Sequence, residues 1–319
     1  MIIESTKSYK NHDVDQIFFR PSFCGKSAEE LGIRVLYNMP MPTTVHVWSR
    51  PDNILQEFAS GWDGGQSAQK FQKTINMRKV KAETQFSADD YFSLVFEKLV
   101  SSSDVSYQDL TGTELEKAET ELFRQAIVEG IRSTMWIGDI SGIVSDLTTF
   151  NGFFRQILNM DEDVTAQVIT DANNIPSAIE MFKGCWNNAT SELKSMRSEG
   201  ELVYFVSSEV YNNYLDDLEE KGTDSAYHDT INGHTSLCYR GIPVVEVPLT
   251  HYSTDRFSTF CMLTDRRNLV LALNTSDMPE NEVRMWYNPD EMENRQRAIF
   301  LAGADVIDQN LVSIYYSNF

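Results

Sequence analysis

Positive charge is scarce in this chain. Twenty-seven Lys and Arg stand against 47 Asp and Glu, giving a net charge of -20 and a pI near 4.6. That balance excludes a dedicated nucleic-acid binder, because neutralising phosphates takes clustered cations. Long apolar runs are missing too. None approaches the roughly 20 residues of a membrane span, and Leu269 to Leu273 is among the longest. The opening MIIESTKSYK alternates polar and apolar and has no signal-peptide core. Cysteine is limited to Cys24, Cys185, Cys238 and Cys261, with no CxxC or CxxH pair. A disulfide scaffold is therefore not expected; the four read as reduced, buried, small apolar residues of an intracellular protein. Internal repeats and low-complexity tracts are absent. What is present suffices for a core: 319 residues, 41% hydrophobic and 11% aromatic. At about 150 residues per domain, that length suggests two domains or one elaborated one.

The charge is unevenly spread. Residues 1–81 hold 11 basic and 8 acidic side chains, a net of +3; the other 238 hold 16 and 39, a net of -23. From Gly64 to Ala82 there is no acid, while Lys70, Lys73, Arg78, Lys79 and Lys81 all fall there. Such a run can be a solvated face. It can also be self-complementary, a basic extension of one copy lying on the acidic body of another, where rim charges set register and association rate. A nucleic-acid stripe fits poorly with the acidic remainder. The second reading is preferred.

The first 60 residues read as an extended arm, interrupted by Pro21, Pro40, Pro42 and Pro51, with apolar bursts at Ile17–Phe19 and Arg34–Tyr37. Gly61-Trp62-Asp63-Gly64-Gly65 is a hinge signal. Ile75, Met77 and Val80 then alternate as in a strand. The spacing predicts a helix over 87–100. A longer one starts at a Thr113/Glu116 capping box, with Leu115, Ala118, Leu122, Ala126 and Ile127 on one face, and stops at Gly138. A second long helix is predicted from Ile175 to Arg197, with Pro176 in its first turn and Gly200 as its stop. Leu202–Val206 reads as a fully buried strand, followed by a short helix from Ser208 to Glu220. Ser236–Val247 reads as a hairpin turning at Arg240-Gly241. Further strands are expected at 259–263, 269–273, 283–287, 298–302 and 310–316. The order is too irregular for a doubly wound sheet, which makes the class α+β.

Catalytic motifs are incomplete. Cys24-Gly25-Lys26-Ser27 resembles the end of a phosphate-binding loop, but Arg20 stands where its first glycine belongs. Gly138-Asp139-Ile140-Ser141-Gly142 misses the nucleophile-elbow spacing. His228 and His234, with Asp224, Asp229 and His251, are metal-ligand types without metal-ligand spacing. Asp216, Asp217, Glu219 and Glu220 offer paired carboxylates of the kind an acidic hydrolase uses, on a helix whose solvated face explains them equally well. No catalytic, cofactor or metal set is assigned.

Taken in order, these features resemble the major capsid proteins of tailed bacteriophages, the Hong Kong 97-like fold. The resemblance rests on Glu114–Trp136 running into Ile137-Gly138-Asp139, on Asn151-Gly152-Phe153-Phe154, and on the strand and Tyr-rich helix of Leu202–Leu218. Tyr239-Arg240-Gly241-Ile242-Pro243-Val244-Val245 and Thr264-Asp265-Arg266-Arg267-Asn268-Leu269 complete it. It covers the chain from about residue 60 onward.

The resemblance implies an N-terminal arm (1–60), an extended loop (61–86), a peripheral domain with a spine helix (87–165 and 276–298) and an axial domain (166–275 and 299–319). It implies a structural protein, not an enzyme, that assembles through pentameric and hexameric capsomers into an icosahedral shell enclosing phage or prophage DNA without sequence-specific binding. Trp62, Lys70, Lys73, Arg78, Lys79 and Lys81 would be the subunit-interface residues of the extended loop. Further partners would be scaffold, protease, portal or decoration proteins; the start at Met1 leaves no room for a large scaffolding segment in the chain itself. No cofactor and no membrane are implied, and the location is the virion after synthesis in the host cytoplasm. An encapsulin-like cellular shell is the alternative, with an acidic hydrolase behind it.

Overall fold

The computed structural model describes residues 27–37, 43–48, 70–87, 109, 111, 114–142, 147–159, 165–171, 175–220, 228–231, 234–249, 256–274 and 284–318. The expected helix over 87–100, the Gly61-Trp62 hinge and most of the arm lie outside them, as do Cys24 and His251.

Leu202–Val206 (β6) is buried at all five positions because it runs through the middle of a seven-stranded sheet covered on both faces. The other strands are Thr165–Ile169 (β5), His228–Ile231 (β7), His234–Tyr239 (β8), Ile242–Glu246 (β9), Arg256–Asp265 (β10) and Val312–Asn318 (β14). Their order is β5-β14-β10-β6-β9-β8-β7, with parallel pairs only at β5/β14 and β6/β9. Residues alternate across it. Tyr204, Cys261 and Leu263 meet the helices Ala178–Asn188 (α3), Ser191–Ser195 (α4) and Ser208–Glu220 (α5); Val203, Phe205, Phe260 and Met262 face the main core.

A second sheet is organised on Glu293–Val306 (β13). One of its edges pairs with Arg284–Asn288 (β12) along its first half and Leu269–Asn274 (β11) along its second; the other pairs with Arg78–Ser87 (β4). Arg34–Tyr37 (β1) joins β11 in parallel, so this part of the expected arm is built into a sheet. β13 absorbs the strand expected near 298–302. Its first half alternates buried and half-exposed residues, whereas from Phe300 to Val306 both faces are covered, which is why only that stretch reads as apolar.

Glu114–Ile137 (α1) is the long helix the capping box announces, 24 residues. Its buried stripe is rotated from the expected one: Phe123, Ile127, Ile131, Met135 and Trp136 turn inward, while Leu122 and Ala126 are exposed. The larger side chains remove more apolar area from water than the alanine-containing stripe would. The helix stops where two glycines meet. The Gly152 amide donates to the Gly138 carbonyl at 2.8 Å, and Phe153–Asn159 (α2) starts at once, setting Phe153 edge-on and Phe154 tilted against the Trp136 ring with centroids 5.3 and 5.8 Å away.

The helix expected from Ile175 to Arg197 is two helices and a 3-10 turn. Ser177, not Pro176, opens α3, through a capping box with Glu180. Ala189 is extended, and Thr190 then caps α4 by accepting the Leu193 amide. Hydroxyls here give the backbone a better local partner than continued helix does.

Candidate assembly surface

Thr43–Trp48 (β2) and Lys70–Ile75 (β3) form an antiparallel hairpin whose base packs on the open face of the β11/β13 sheet. Val45, Ile75 and Met77 bury against Val270, Ala272 and Leu301. The chain passes from β3 to β4 directly over Gly303, where a Cβ would lie 2.8 Å from the Asn76 carbonyl oxygen. The expected basic stretch thus divides between the hairpin (Lys70, Lys73) and the first half of β4 (Arg78, Lys79, Lys81).

The cations do not share one fate. Lys73 meets the Asp305 carboxylate of β13 at 3.4 Å, and Asp305 is buried. Lys81 pairs with Glu83 at 2.5 Å, and Arg297 reaches Glu83 at 2.7 Å while stacking over Trp286 at 5.5 Å. Lys81, then Arg297, holds the Glu83 carboxyl below its ordinary range. Arg78 and Lys79 are exposed and make no ion pair among the described residues; Lys70 is exposed. Trp62 lies outside the described residues. Asp305, Glu83, Arg297 and Gly303 were not singled out from the sequence. The one available signal was an acid set inside the apolar run 298–306.

The quoted motifs are structural corners. Arg240 and Gly241 both have positive φ, 51° and 80°, the backbone of a tight two-residue hairpin turn. The Arg197 guanidinium donates to the Arg240 carbonyl. Thr264–Leu269 carries the chain from one sheet to the other. Asp265 accepts the Arg267 amide and guanidinium at 2.8 and 2.6 Å, Thr264 donates to the Leu311 carbonyl at 2.8 Å, and buried Asn268 exchanges two hydrogen bonds with the Asp308 backbone. These partners satisfy polar groups that would otherwise be stranded at the joint between sheets.

The chemical candidates are dispersed. Asp216, Glu219 and Glu220 are exposed on α5 and Asp217 is half-buried, behind an inward face of Val210, Tyr214 and Leu218. His228 and His234 fall on β7 and β8, with His234 opposite Ile231. No three His, Cys, Asp or Glu side chains converge as metal ligands among the described residues. Ser27 exchanges bonds with Glu30 as a cap, at 2.8 and 3.3 Å. Asp139 pairs with Arg155 at 3.5 Å. Cys185 and Cys261 are buried thiols with sulfurs 3.7 Å apart, and burial, then the Cys185 contact, pushes the Cys261 thiol up and away from thiolate chemistry. Among the described residues no helix is long and apolar enough to cross a membrane.

No protein-family model matches the chain, and no curated protein matches it in sequence. Solved structures do match over nearly their whole length. The Gordonia phage Cozz structure aligns with a TM-score of 0.56 at 11% identity, over 95% of this chain and 90% of that one. The capsid of Myoviridae phage XM1 aligns at 0.53 and 13%, over 94% and 95%. The holo-SrpI encapsulin complex of Synechococcus elongatus aligns at 0.52 and 8%, over 97% and 95%. At such identities the likeness is one of fold. This chain has the mixed α and β fold of those capsid and encapsulin structures, the Hong Kong 97-like fold.

Proposed function

We propose that this chain is the major capsid subunit of a tailed phage or prophage, closing through pentamers and hexamers into an icosahedral shell around DNA. The observation that carries the reading is that this chain aligns along nearly its whole length with phage capsid structures, 94% of it on 95% of the phage XM1 capsid chain. In this reading the seven-stranded sheet with α3–α5 is the axial unit. The five-stranded sheet with α1 is the peripheral unit, and it takes Leu269–Asn274 and all of β13 with it. The acidic body repels packaged phosphate at short range and so encloses DNA without gripping it. Closure rests on many modest contacts in place of one strong interface. The subunit is made in the host cytoplasm and ends in the virion.

Light scattering with negative-stain microscopy, across protein and salt concentration, tests this. Rings of five or six, sheets or closed particles are the expected result; a monomer at every concentration, even with the scaffold of its genomic neighbourhood supplied, overturns it. An encapsulin-like shell is the second reading, favoured by the match to the Synechococcus complex. Particles purified from cells separate the two: nuclease-protected DNA inside supports the first, protein cargo the second.

The extended-loop residues Trp62, Lys70, Lys73, Arg78, Lys79 and Lys81 are proposed to face an adjacent subunit. Arg78 and Lys79 carry most of that role, since Lys73 and Lys81 have carboxylate partners in their own chain. Arg78→Glu with Lys79→Glu should slow assembly at least about tenfold at low salt, with the gap closing at high salt, as expected of screened rim charges. Unchanged, salt-independent kinetics would remove these two residues from the interface.

A further inference from the structure

Among the described residues, the Asp305 carboxylate is the one acid that the β2–β3 hairpin covers. Its side chain is 7% exposed, against 36% for Lys73. Both of its contacts fall on Oδ1: Lys73 Nζ at 3.4 Å and the Val306 amide at 2.8 Å. The Lys73 contact is long for a charge-assisted hydrogen bond. By register, Arg34 lies on the same sheet face two strands away across Val270, and Lys79 lies opposite Leu301 further along β13. His46, the hairpin's histidine, stands opposite Gln72 on the outward face. Asp305 is therefore a buried acid whose only direct ionic partner among the described residues is one half-exposed lysine at poor range. Taking a carboxylate out of water costs more than one loose pair returns. The direction of its titration agrees: burial outweighs Lys73 and raises the Asp305 carboxyl above the ordinary range.

We propose that Lys73 and Asp305 form a proton-operated catch on the β2–β3 hairpin, in which ionised Asp305 favours the hairpin lifted from the sheet and protonated Asp305 favours it seated. The sign follows from linkage. Seated, Asp305 holds its proton more tightly than when lifted and hydrated, so acid favours the seated form and neutral pH the lifted one. The apolar contacts of Val45, Ile75 and Met77 seat the hairpin; the buried charge works against them. Near neutrality the chain thus holds its hairpin under a built-in tendency to rise. The catch belongs to the single chain and stands whether or not the chain forms shells.

Hydrogen exchange by mass spectrometry on the full-length chain, corrected for intrinsic rates, tests it from about pH 8 down to about pH 4, through the range in which a carboxyl takes up its proton. Amides of Lys70–Ile75 should gain protection several-fold as the pH falls, while those of Leu202–Val206 stay unchanged. Asp305→Asn should show the seated level at every pH and exchange more slowly than the parent at pH 8. Equal or faster exchange in that variant would mean the pair is a net clamp, and the proposal fails. Lys73→Gln supplies an independent arm should Asp305→Asn not fold. It should exchange faster than the parent at about pH 8 and converge on it in acid; a pH-independent Lys73→Gln equally overturns the catch.

Discussion

Two glycines on either side of one helix end show how far a single hydrogen atom can matter. Gly152 lies against the end of α1, where an added Cβ would stand 2.5 Å from the Thr134 carbonyl oxygen, a backbone atom that cannot step aside. Gly130, inside α1, has nothing within 4 Å of its Cβ position. Gly152→Ala should cost at least about 2 kcal/mol through forced displacement of the α1–α2 corner. Gly130→Ala should stabilise by about 0.5–1 kcal/mol, because it restricts the unfolded chain without a clash. Urea unfolding of both variants measures this, and similar losses in the two would refute it. The sequence could mark Gly138 and Gly152 as breaks between helices. It could not show that they touch, since that contact depends on how α2 folds back onto Trp136. Nor could it distinguish Lys73 from Arg78, because the acid that separates them is some 230 residues along the chain and arrives only with β13.

Elements were legible where the apolar pattern matched the burial. α5 buries one regular side, β6 is apolar at every position because both its faces are covered, and the β8–β9 hairpin is marked by its turn. The pattern misled where a local hydroxyl or a second burial partner intervened. Residues 178–199 keep a helical stripe throughout, yet Thr190 ends one helix and starts the next. Its hydroxyl accepts the Leu193 amide at 3.1 Å and donates to the Asn310 carbonyl at 2.7 Å. That second bond ties α4 to the turn before β14, and no local reading reveals it. Thr190→Ala should therefore cost about 1–2 kcal/mol, the cap together with a tertiary hydrogen bond. Thr190→Ser should restore most of it in thermal unfolding; no recovery with serine would show that the methyl group, and not the hydroxyl, holds the break.

At the scale of the whole chain, class and family resemblance could be read from the order of elements, while the way the two sheets share a core could not. Phe205 and Phe260 from one sheet and Phe300 and Leu271 from the other belong to a single cluster around Trp136 and Phe154. Each residue is apolar in its own strand, and nothing in the letters says that the two faces meet. The joint is covalent as well as packed: Asn268 and Asp308 close the two short crossings, β10 to β11 and β13 to β14, through hydrogen bonds between the Asn268 side chain and the Asp308 backbone. A chain built this way should unfold in one transition, since separating the sheets would open their common core.

The ten-position ladder between β4 and β13 has a mechanical side. Arg78 stands opposite Ala302 and Ser87 opposite Glu293. Tension applied between Arg78 and Glu293 would shear the ladder, loading its hydrogen bonds together. The same tension between Arg78 and Ala302 would peel them one at a time. Single-molecule pulling through those two attachment pairs should give a several-fold higher rupture force for the first, and equal forces would show that the ladder does not bear the load. β13, gripped along both edges, is then a tie-rod. Strain arriving at the base of the hairpin is passed down the 14-residue β13 to the β12 end of the sheet and is not absorbed where it enters.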